Sequence, residues 1–294
     1  MANLKEIRNR IVTVSSTMQI TSAMKMVSAA KLKRAQDAIT QMRPYAEKLQ
    51  EILSNLSASL DTSENAYAQE REVKNVLIVP VTSNRGLCGG FNNYVVKKAI
   101  QLASKTYADQ NVTVLPVGKK AADSFKKTDY YGNLDSITKD GSNIWGDLNF
   151  SASNEIAENI MNAYAAGTVD KVVLVYNRFK NVATQIVTEE QFLPIVASDN
   201  NTAGDNSSVD YIFEPSKEEI VSELIPKSLK TQFYKVLLES NAGEHGARMT
   251  AMHKATDNAT ELNKGLKLEY NKARQAAITN EILEIVGGAE ALNG

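Results

Sequence analysis

The C-terminal part of the chain carries a helical pattern that is far longer than an ordinary globular helix. No proline occurs between Lys227 and Val286, and small or apolar residues recur along this stretch at steps of three and four. A helix of about 55 residues, rising about 1.5 Å per residue, would be roughly 80 Å long. That length favours a coiled coil or a membrane span, and the charged residues Lys264, Lys267 and Glu269 exclude the span.

The N-terminal end of the chain supplies a partner for this helix. Residues 2–60 carry a second apolar stripe with helical spacing, which predicts another long helix. Pro44 either kinks this helix or ends its first segment close by. Because neither helix can bury its stripe alone, the two are expected to pack antiparallel over about 55 residues. The C-terminal helix is then expected to run on past the start of the N-terminal one.

The apolar seam of the N-terminal helix contains a polar stretch. Heptad positions fall on Thr21 and Ser28, so the seam is expected to move over by one residue to Ile20, Met24 and Val27. Basic residues outnumber acidic ones along this helix, although the whole chain has a net charge of −1. This positive face is equally typical of a solvated coiled-coil flank and of a site for an acidic partner.

The pattern between the two helices changes from helical to alternating. Residues 61–72 read as a polar linker, and residues 73–196 alternate strands with helices, which predicts a small, mostly parallel α/β layer. Residues 197–215 form a predicted mobile loop, and residues 216–294 the C-terminal helix, which Pro226 is expected to break or bend. The predicted strands are 76–81, 112–117, 171–176, 184–188 and 191–196, and the predicted helix caps are Asn92 and Ser153.

Composition narrows the class of protein. The near-neutral charge of this 294-residue chain gives no overall attraction to nucleic acid or to an anionic membrane. The single cysteine, Cys88, excludes an internal disulfide. The first residues lead directly into an amphipathic pattern without an apolar signal core, which predicts a cytoplasmic protein.

The glycine-rich turn at Gly86, Gly89 and Gly90 is the strongest candidate for a ligand site. It lies between a predicted strand and a predicted helix, where a phosphate could bind. Its spacing matches neither G-x-G-x-x-G nor G-x-x-x-x-G-K-[ST], however, and no lysine is positioned to reach a phosphate. A structural turn is therefore the preferred interpretation.

Cys88, His245 and His253 do not suggest catalysis or metal binding. Cys88 has no neighbouring His, Cys or Lys that would activate its thiol, so a buried side chain is expected. The two histidines are eight residues apart, which is not the i, i+4 spacing of helical metal pairs. We therefore predict no catalytic, cofactor or metal site.

Three glycines interrupt the C-terminal helical pattern, namely Gly243, Gly246 and Gly265. Each costs about 1 kcal/mol relative to alanine in a helix. Together with nearby alanines they would make a thin helix surface that permits close backbone approach. One interpretation is a loosely packed coiled coil. The more specific one is a slender helical shaft that lies inside a cavity of another protein.

Blocks of this sequence, taken in order, resemble the gamma subunit of F-type ATP synthases. The C-terminal signature of that family is matched by Ile278, Thr279, Glu281, Glu284, Gly288, Ala289 and Ala291. The other similar blocks are Met18–Val27, Ala30–Gln36, Ser83–Asn92, Ala247–Met252 and Ala255–Ala259. Asn84 stands where aspartate is more usual, and Gly243 and Gly246 replace Ser/Ala-like residues.

The resemblance implies a fold and a role. The fold would be a long antiparallel coiled coil of the N- and C-terminal helices with an inserted Rossmann-like α/β domain. The role would be the non-catalytic central stalk of a proton-translocating ATP synthase, on the cytoplasmic face of a bacterial membrane. Its coil would turn inside the alpha/beta hexamer, and its other end would bind the epsilon subunit and the c-ring. By family position, contacts to alpha or beta loops are expected at Met24, Lys25, Arg248, Gln275, Thr279 and Glu281, and an apolar bearing at Ile282 and Ile285.

Two other functions are compatible with parts of the pattern. A nucleotide-binding α/β enzyme with helical extensions would bind ATP or a dinucleotide by itself. A passive scaffold would explain the coil but would leave the C-terminal signature without a reason.

Overall fold

The computed structural model describes residues 4–57, 66–69, 71–132, 141–195 and 217–293. The predicted loop at 197–215 lies outside these ranges. The chain divides into two compact units, one made of Met1–Ala29 with Arg248–Gly294 and the other of Ala30–Ala247.

Helices and strands follow one another in the predicted order. The helices are α1 (Leu4–Ser57), α2 (Phe91–Gln101, extended by a π-helical turn at Leu102–Thr106), α3 (Lys119–Phe125), a 3₁₀ turn (Ser142–Trp145), α4 (Phe150–Ala165) and α5 (Lys217–Asn293). The strands are β1 (Asn75–Pro80), β2 (Asn111–Val114), β3 (Lys171–Phe179) and β4 (Gln185–Leu193). No described helix is long and apolar enough to cross a membrane.

Both long helices run through a proline. Pro44 lies inside α1 and Pro226 inside α5, so Pro44 does not end the first helix and, of the break or bend predicted at Pro226, the break does not occur. A proline in a helix interior removes one backbone hydrogen bond and costs about 3 kcal/mol. At Pro226 the flanking residues Ile225 and Leu229 are buried, and their packing holds the helix together on both sides.

The first unit is an antiparallel pair of helices, as predicted. Increasing residue numbers in α1 meet decreasing numbers in α5. The Thr21 and Thr256 hydroxyls hydrogen-bond at 2.8 Å, and the Asn263 side chain donates to the Ile11 carbonyl at 3.3 Å. Ile7, Met252 and Leu266 are buried, which places them in the seam between the helices.

The predicted shift of the α1 seam is wrong. Thr21 and Ser28 are buried in the heptad positions, whereas Ile20 and Val27 are 60% and 58% exposed. The buried hydroxyls remain satisfied because Ser28 donates to the carbonyl of Met24 at 2.8 Å, and Thr21 donates to a carbonyl one turn back. The seam therefore stays on the heptad positions. Thr21 and Ser28 occupy it, and the bulkier Ile20 and Val27 do not.

The second unit is built on a four-stranded sheet with the order β2-β1-β3-β4. Strand β1 pairs in parallel with β2 and β3, and β4 is antiparallel to β3. The two edge strands predicted at 184–188 and 191–196 are one strand, Gln185–Leu193, with an irregularity opposite Val172 and Val173.

Helices cover both faces of this sheet. One face packs against α4 and the first part of α5, through Tyr164, Phe233 and Leu237 among others. The other face packs against α2 and α3, through Val95 and Phe125. The cap of α4 is Asn149, which accepts a hydrogen bond from the Ala152 amide at 2.8 Å, so the predicted cap at Ser153 is wrong.

Candidate partner-binding surfaces

The end of α5 carries an exposed apolar stripe in the first unit. Ile278, Ile282, Ile285 and Val286 are 47%, 54%, 71% and 50% exposed. At about 100° per residue these four side chains fall within an arc of about 100°. Single exposed apolar residues are ordinary, but a contiguous stripe marks an interaction surface.

Polar residues that were predicted as contacts lie on or beside this stripe. By the same helical spacing, Thr279 lies on one side of the stripe and Glu281 on the other, whereas Gln275 falls within its arc about one turn before Ile278. All three are exposed. The Thr279 hydroxyl donates to the backbone carbonyl of Gln275 at 2.9 Å, which fixes its direction. The structure therefore brings five predicted residues, including Ile282 and Ile285, onto one helical segment.

The other three predicted contacts lie in the helix pair itself. Met24 and Lys25 of α1 are half-buried, and Arg248 of α5 is only 7% exposed. Burial of an arginine requires hydrogen-bonding or ionic partners for its guanidinium. Arg248 is therefore held by contacts within this chain, whereas Met24 and Lys25 are partly exposed.

Sequence reasoning missed a second apolar surface, on the outer face of α1. Val12, Ile20, Met26 and Val27 are 58–65% exposed. They fall within an arc of about 120° on the helix. Their spacing could have revealed this face, but Ile20 and Val27 were assigned to the seam.

The glycine-rich turn of the second unit is filled by its own side chains. The Asn92 carboxamide accepts from the Ser83 amide at 2.9 Å and donates to the Ser83 hydroxyl at 3.0 Å and to the Cys88 sulfur at 3.2 Å. Asn92 is thus buried beneath the turn, and its predicted role as a helix cap is wrong. These bonds favour the structural interpretation of the turn.

Left-handed backbone at the tip of this turn displays an apolar residue. Leu87 has φ = 64° and is 65% exposed, and Gly89 has φ = 59°. A non-glycine residue in this region is uncommon and costs of order 1 kcal/mol. The buried hydrogen bonds below the turn supply the constraint that holds Leu87 outward. Cys88 is buried, as expected.

Two of the three helical glycines are explained within the second unit. A Cβ atom on Gly243 would lie 3.2 Å from the Phe91 ring, and one on Gly246 would lie 3.1 Å from the Val182 carbonyl. Both glycines therefore let the β3–β4 hairpin and the start of α2 approach α5. The interpretation of these glycines as a slender shaft inside a partner is wrong for both, whereas Gly265 has open space around its Cα.

Two half-buried glutamates, Glu190 and Glu239, lie near each other where the first part of α5 packs on the sheet. The Glu190 carboxylate accepts from the Tyr176 hydroxyl at 2.7 Å and from the Gln232 amide at 2.6 Å. Burial, and then the charge of Glu190, raises the pKa of Tyr176. Burial is also the largest cause of a raised pKa at Glu239, since the nearby Lys235, Arg178 and Arg43 only partly offset it.

The remaining candidates form no chemical centre. His253 Nδ1 lies 3.4 Å from the Asp257 carboxylate on an exposed face of α5, and His245 is half-buried. Within the described ranges, no three His, Cys, Asp or Glu side chains come close enough to hold a metal ion.

Comparison with known proteins places this architecture in a family. The family model for ATP synthase matches residues 3–292. The ATP synthase gamma chains of Christiangramia forsetii and Flavobacterium johnsoniae are 61% and 62% identical, over the full length of both chains in each case.

Solved structures agree with this match. The central stalk/c-ring structure of the Tetrahymena thermophila mitochondrial ATP synthase contains a chain that is 26% identical, with a TM-score of 0.59. The match covers 80% of this chain and 99% of that one. A rotor chain of the Euglena gracilis mitochondrial ATP synthase shares the fold at 22% identity and a TM-score of 0.64, over 94% and 98% of the two chains.

Long terminal helices that pair with each other, and an α/β domain inserted between them in the chain, are the architecture of an ATP synthase stalk subunit. The chain belongs to the ATP synthase gamma chain family. The predicted family and fold class are thereby confirmed, and family membership favours the stalk over the nucleotide-binding enzyme.

Proposed function

We propose that this chain is the rotor of a proton-translocating ATP synthase and transmits torque between a membrane c-ring and a catalytic alpha/beta hexamer. The observation that carries the proposal is the exposed stripe of Ile278, Ile282, Ile285 and Val286, on a helix whose neighbouring segment is paired in a coil. An apolar stripe with no counterpart on α1 needs a surface on another protein.

The mechanism rests on asymmetry rather than on chemistry in this chain. A ligand or subunit shifts a conformational equilibrium only if it contacts the two states differently. The apolar stripe occupies about a third of the circumference of α5, so three equivalent catalytic subunits arranged around it would meet three different surfaces. Rotation would then take each catalytic site through its states in turn and couple proton flow to ATP release.

Eight side chains are proposed as contacts to the surrounding subunits. The exposed residues at the end of α5 would contact the surrounding subunits directly. Ile282 and Ile285 would form an apolar surface that slides with little friction, and Gln275, Thr279 and Glu281 would make polar contacts. Met24 and Lys25 offer a smaller surface on α1. Because Arg248 is buried, we propose that it acts by holding α5 in place rather than through broad contact.

The chain itself is proposed to be non-catalytic, with nucleotide sites on the partner subunits. The partners would be the alpha and beta subunits around the coil, and the epsilon subunit and c-ring at the other end. The chain would be a peripheral protein at the cytoplasmic face of the cell membrane, and through its position it would regulate both ATP hydrolysis and proton flow.

Reconstitution of the complex tests the rotor. The complex assembled with this chain should pump protons when ATP is added, and the complex assembled without it should not. Proton pumping can be followed with a pH-sensitive dye in sealed vesicles. ATP-driven pumping that persists unchanged without the chain would overturn the proposal.

A charge placed on the stripe tests the bearing more locally. Ile282→Asp should reduce ATP-driven pumping several-fold, because it buries a carboxylate against a partner surface. Asn280→Asp is the matched control, since it adds a charge to the same turn of α5 on the side facing away from the stripe. Equal effects of the two substitutions would show that the stripe is not the contact surface.

A further inference from the structure

A cavity of about 350 Å³ lies in the second unit between α1, α5 and the end of β3. Its apolar surface is formed by Ile39, Met42 and Ala46 of α1, Phe179 of β3 and Leu238 of α5. Leu238 is buried, and the other four are partly buried. This cavity combines its apolar surface with a similar extent of polar surface, and its volume is at the small end of the range for small-molecule sites.

The rim of the cavity is cationic. Arg43, Arg178 and Lys235, one from each of the three elements, line it and are exposed. Among the described residues, neither Arg178 nor Lys235 has a carboxylate within 4.0 Å. Three cations in the lining face a single carboxylate, that of Glu239, so a ligand with an anionic head would supply a further counter-charge.

Glu239 is the one acidic residue in the lining, and it limits the charge that a ligand can carry. One of its carboxylate oxygens is buried without a hydrogen-bond partner among the described residues. A dianionic head such as a phosphate monoester would be repelled by a nearby carboxylate. A carboxylic acid could instead share a proton with Glu239, as two carboxyl groups in one site do, so the monoanion is favoured.

We propose that this cavity binds a medium-chain fatty carboxylate. Its alkyl chain would lie on the apolar surface of α1 and Leu238, and its carboxylate would pair with Arg178 and Lys235. The volume of about 350 Å³ is at the small end of ligand sites and favours a medium-length alkyl chain over a long one, and decanoate serves as the probe. The proposal is independent of the rotor function.

Calorimetric titration of the full-length chain with sodium decanoate, below its micellar concentration, tests the proposal. The expected result is saturable binding of one decanoate per chain. Acetate, which lacks the chain, and decanamide, which lacks the charge, should each bind at least tenfold more weakly. Absence of saturable binding up to about 1 mM, or equal binding of decanamide, would overturn the proposal.

Two double variants with the same change in charge locate the site. Arg178→Gln with Lys235→Gln should weaken decanoate binding at least tenfold, because it removes both charges proposed to bind the head group. Lys264→Gln with Lys267→Gln, on exposed positions of α5 in the other unit, should leave binding unchanged. Circular dichroism verifies that both variants are folded. Equal binding by the first variant and the parent would overturn the assignment.

A methyl NMR readout separates this cavity from non-specific adsorption of the alkyl chain. The chain has eight methionines, and Met42 lines the cavity. In protein labelled at the methionine methyl groups, decanoate should shift the Met42 signal, assigned from Met42→Leu, with the same concentration dependence as the heat. A shift confined to methionines outside the cavity would overturn the proposal.

Discussion

At the scale of single residues, the structure shows that one residue type can have opposite roles in one helix. Gly243 and Gly246 are buried and make room for the hairpin between β3 and β4, whereas Gly265 faces open space. The sequence pattern treated all three alike because helix periodicity reports the spacing of residues and not what packs against them. The approach of β4 to α5 is a tertiary contact, so no local signal could have predicted it.

This difference predicts opposite effects of an added side chain at two positions. Gly265→Ala should raise the free energy of unfolding by about 0.5–1 kcal/mol, since it improves helix propensity at no steric cost. Gly246→Val should lower it by about 1–3 kcal/mol, because the larger side chain would press on the Val182 backbone 3.1 Å away. Urea denaturation measures both changes. Stabilisation by Gly246→Val would contradict the explanation given for the buried glycines.

Glu239 predicts a pH-dependent stability. Its pKa is raised in the folded state, mainly by burial, so the folded chain holds this proton more tightly than the unfolded chain. The stability is therefore full below the unfolded pKa and is lost as the pH rises through the folded pKa. Glu239→Gln should melt at a higher temperature than the parent at pH 7.5, and this advantage should vanish at pH 4.

An exposed carboxylate supplies the control for that experiment. Glu269 lies on an exposed face of α5, and Glu269→Gln should shift the melting temperature equally at both pH values. If the two glutamine variants behaved alike, burial of Glu239 would not be the source of the pH dependence.

At the scale of elements, periodicity predicted both long helices and most of the sheet. Predictions from local sequence rules were wrong at positions where packing against other elements decides the structure. Pro226 was expected to break or bend α5, and the helix is not broken because packing of Ile225 and Leu229 in the core offsets the lost hydrogen bond. Thr21 and Ser28 were expected to leave the seam because they are polar, but their hydroxyls bond to their own helix and stay in it.

The polar seam predicts a measurable coupling between the two helices. The Thr21 and Thr256 hydroxyls meet at 2.8 Å. Since each carries one proton, one hydroxyl donates across the seam while the other donates to a carbonyl of its own helix. In a double-mutant cycle of Thr21→Val and Thr256→Val, the interaction energy should be about 0.5–1 kcal/mol. Thr21→Val combined with Thr260→Val is the comparison pair, and its interaction energy should be smaller. A zero coupling for the first pair would contradict the register of the coil.

At the scale of the whole molecule, the family and the pairing of the two chain ends could be predicted from sequence blocks. The proposed contacts remain predictions, because the surfaces they would meet belong to other chains. The structure adds the solvent exposure of these residues. Five of the eight lie at the end of α5 with exposed side chains, whereas the side chain of Arg248 is buried.

Truncation separates surfaces that serve the fold from surfaces that serve the assembly. Removal of residues 278–294 should change the melting temperature of the chain by no more than about 2 °C, because exposed side chains contribute little to stability. In the reconstituted complex the same truncation should lower the number of protons pumped per ATP hydrolysed.

Leu266→Ala, in the buried seam, should instead lower the stability of the chain by about 2–4 kcal/mol.

The bond between Thr21 and Thr256 joins residues that are 235 positions apart. At about 5–20 residues per second, a ribosome needs about 12–47 s to make the second after the first. Throughout that time the C-terminal helix, with which the apolar seam of the N-terminal helix pairs, has not yet been synthesised. The coiled coil can therefore form only late in translation. Until then the apolar seam of α1 is exposed to other nascent chains and needs protection from aggregation.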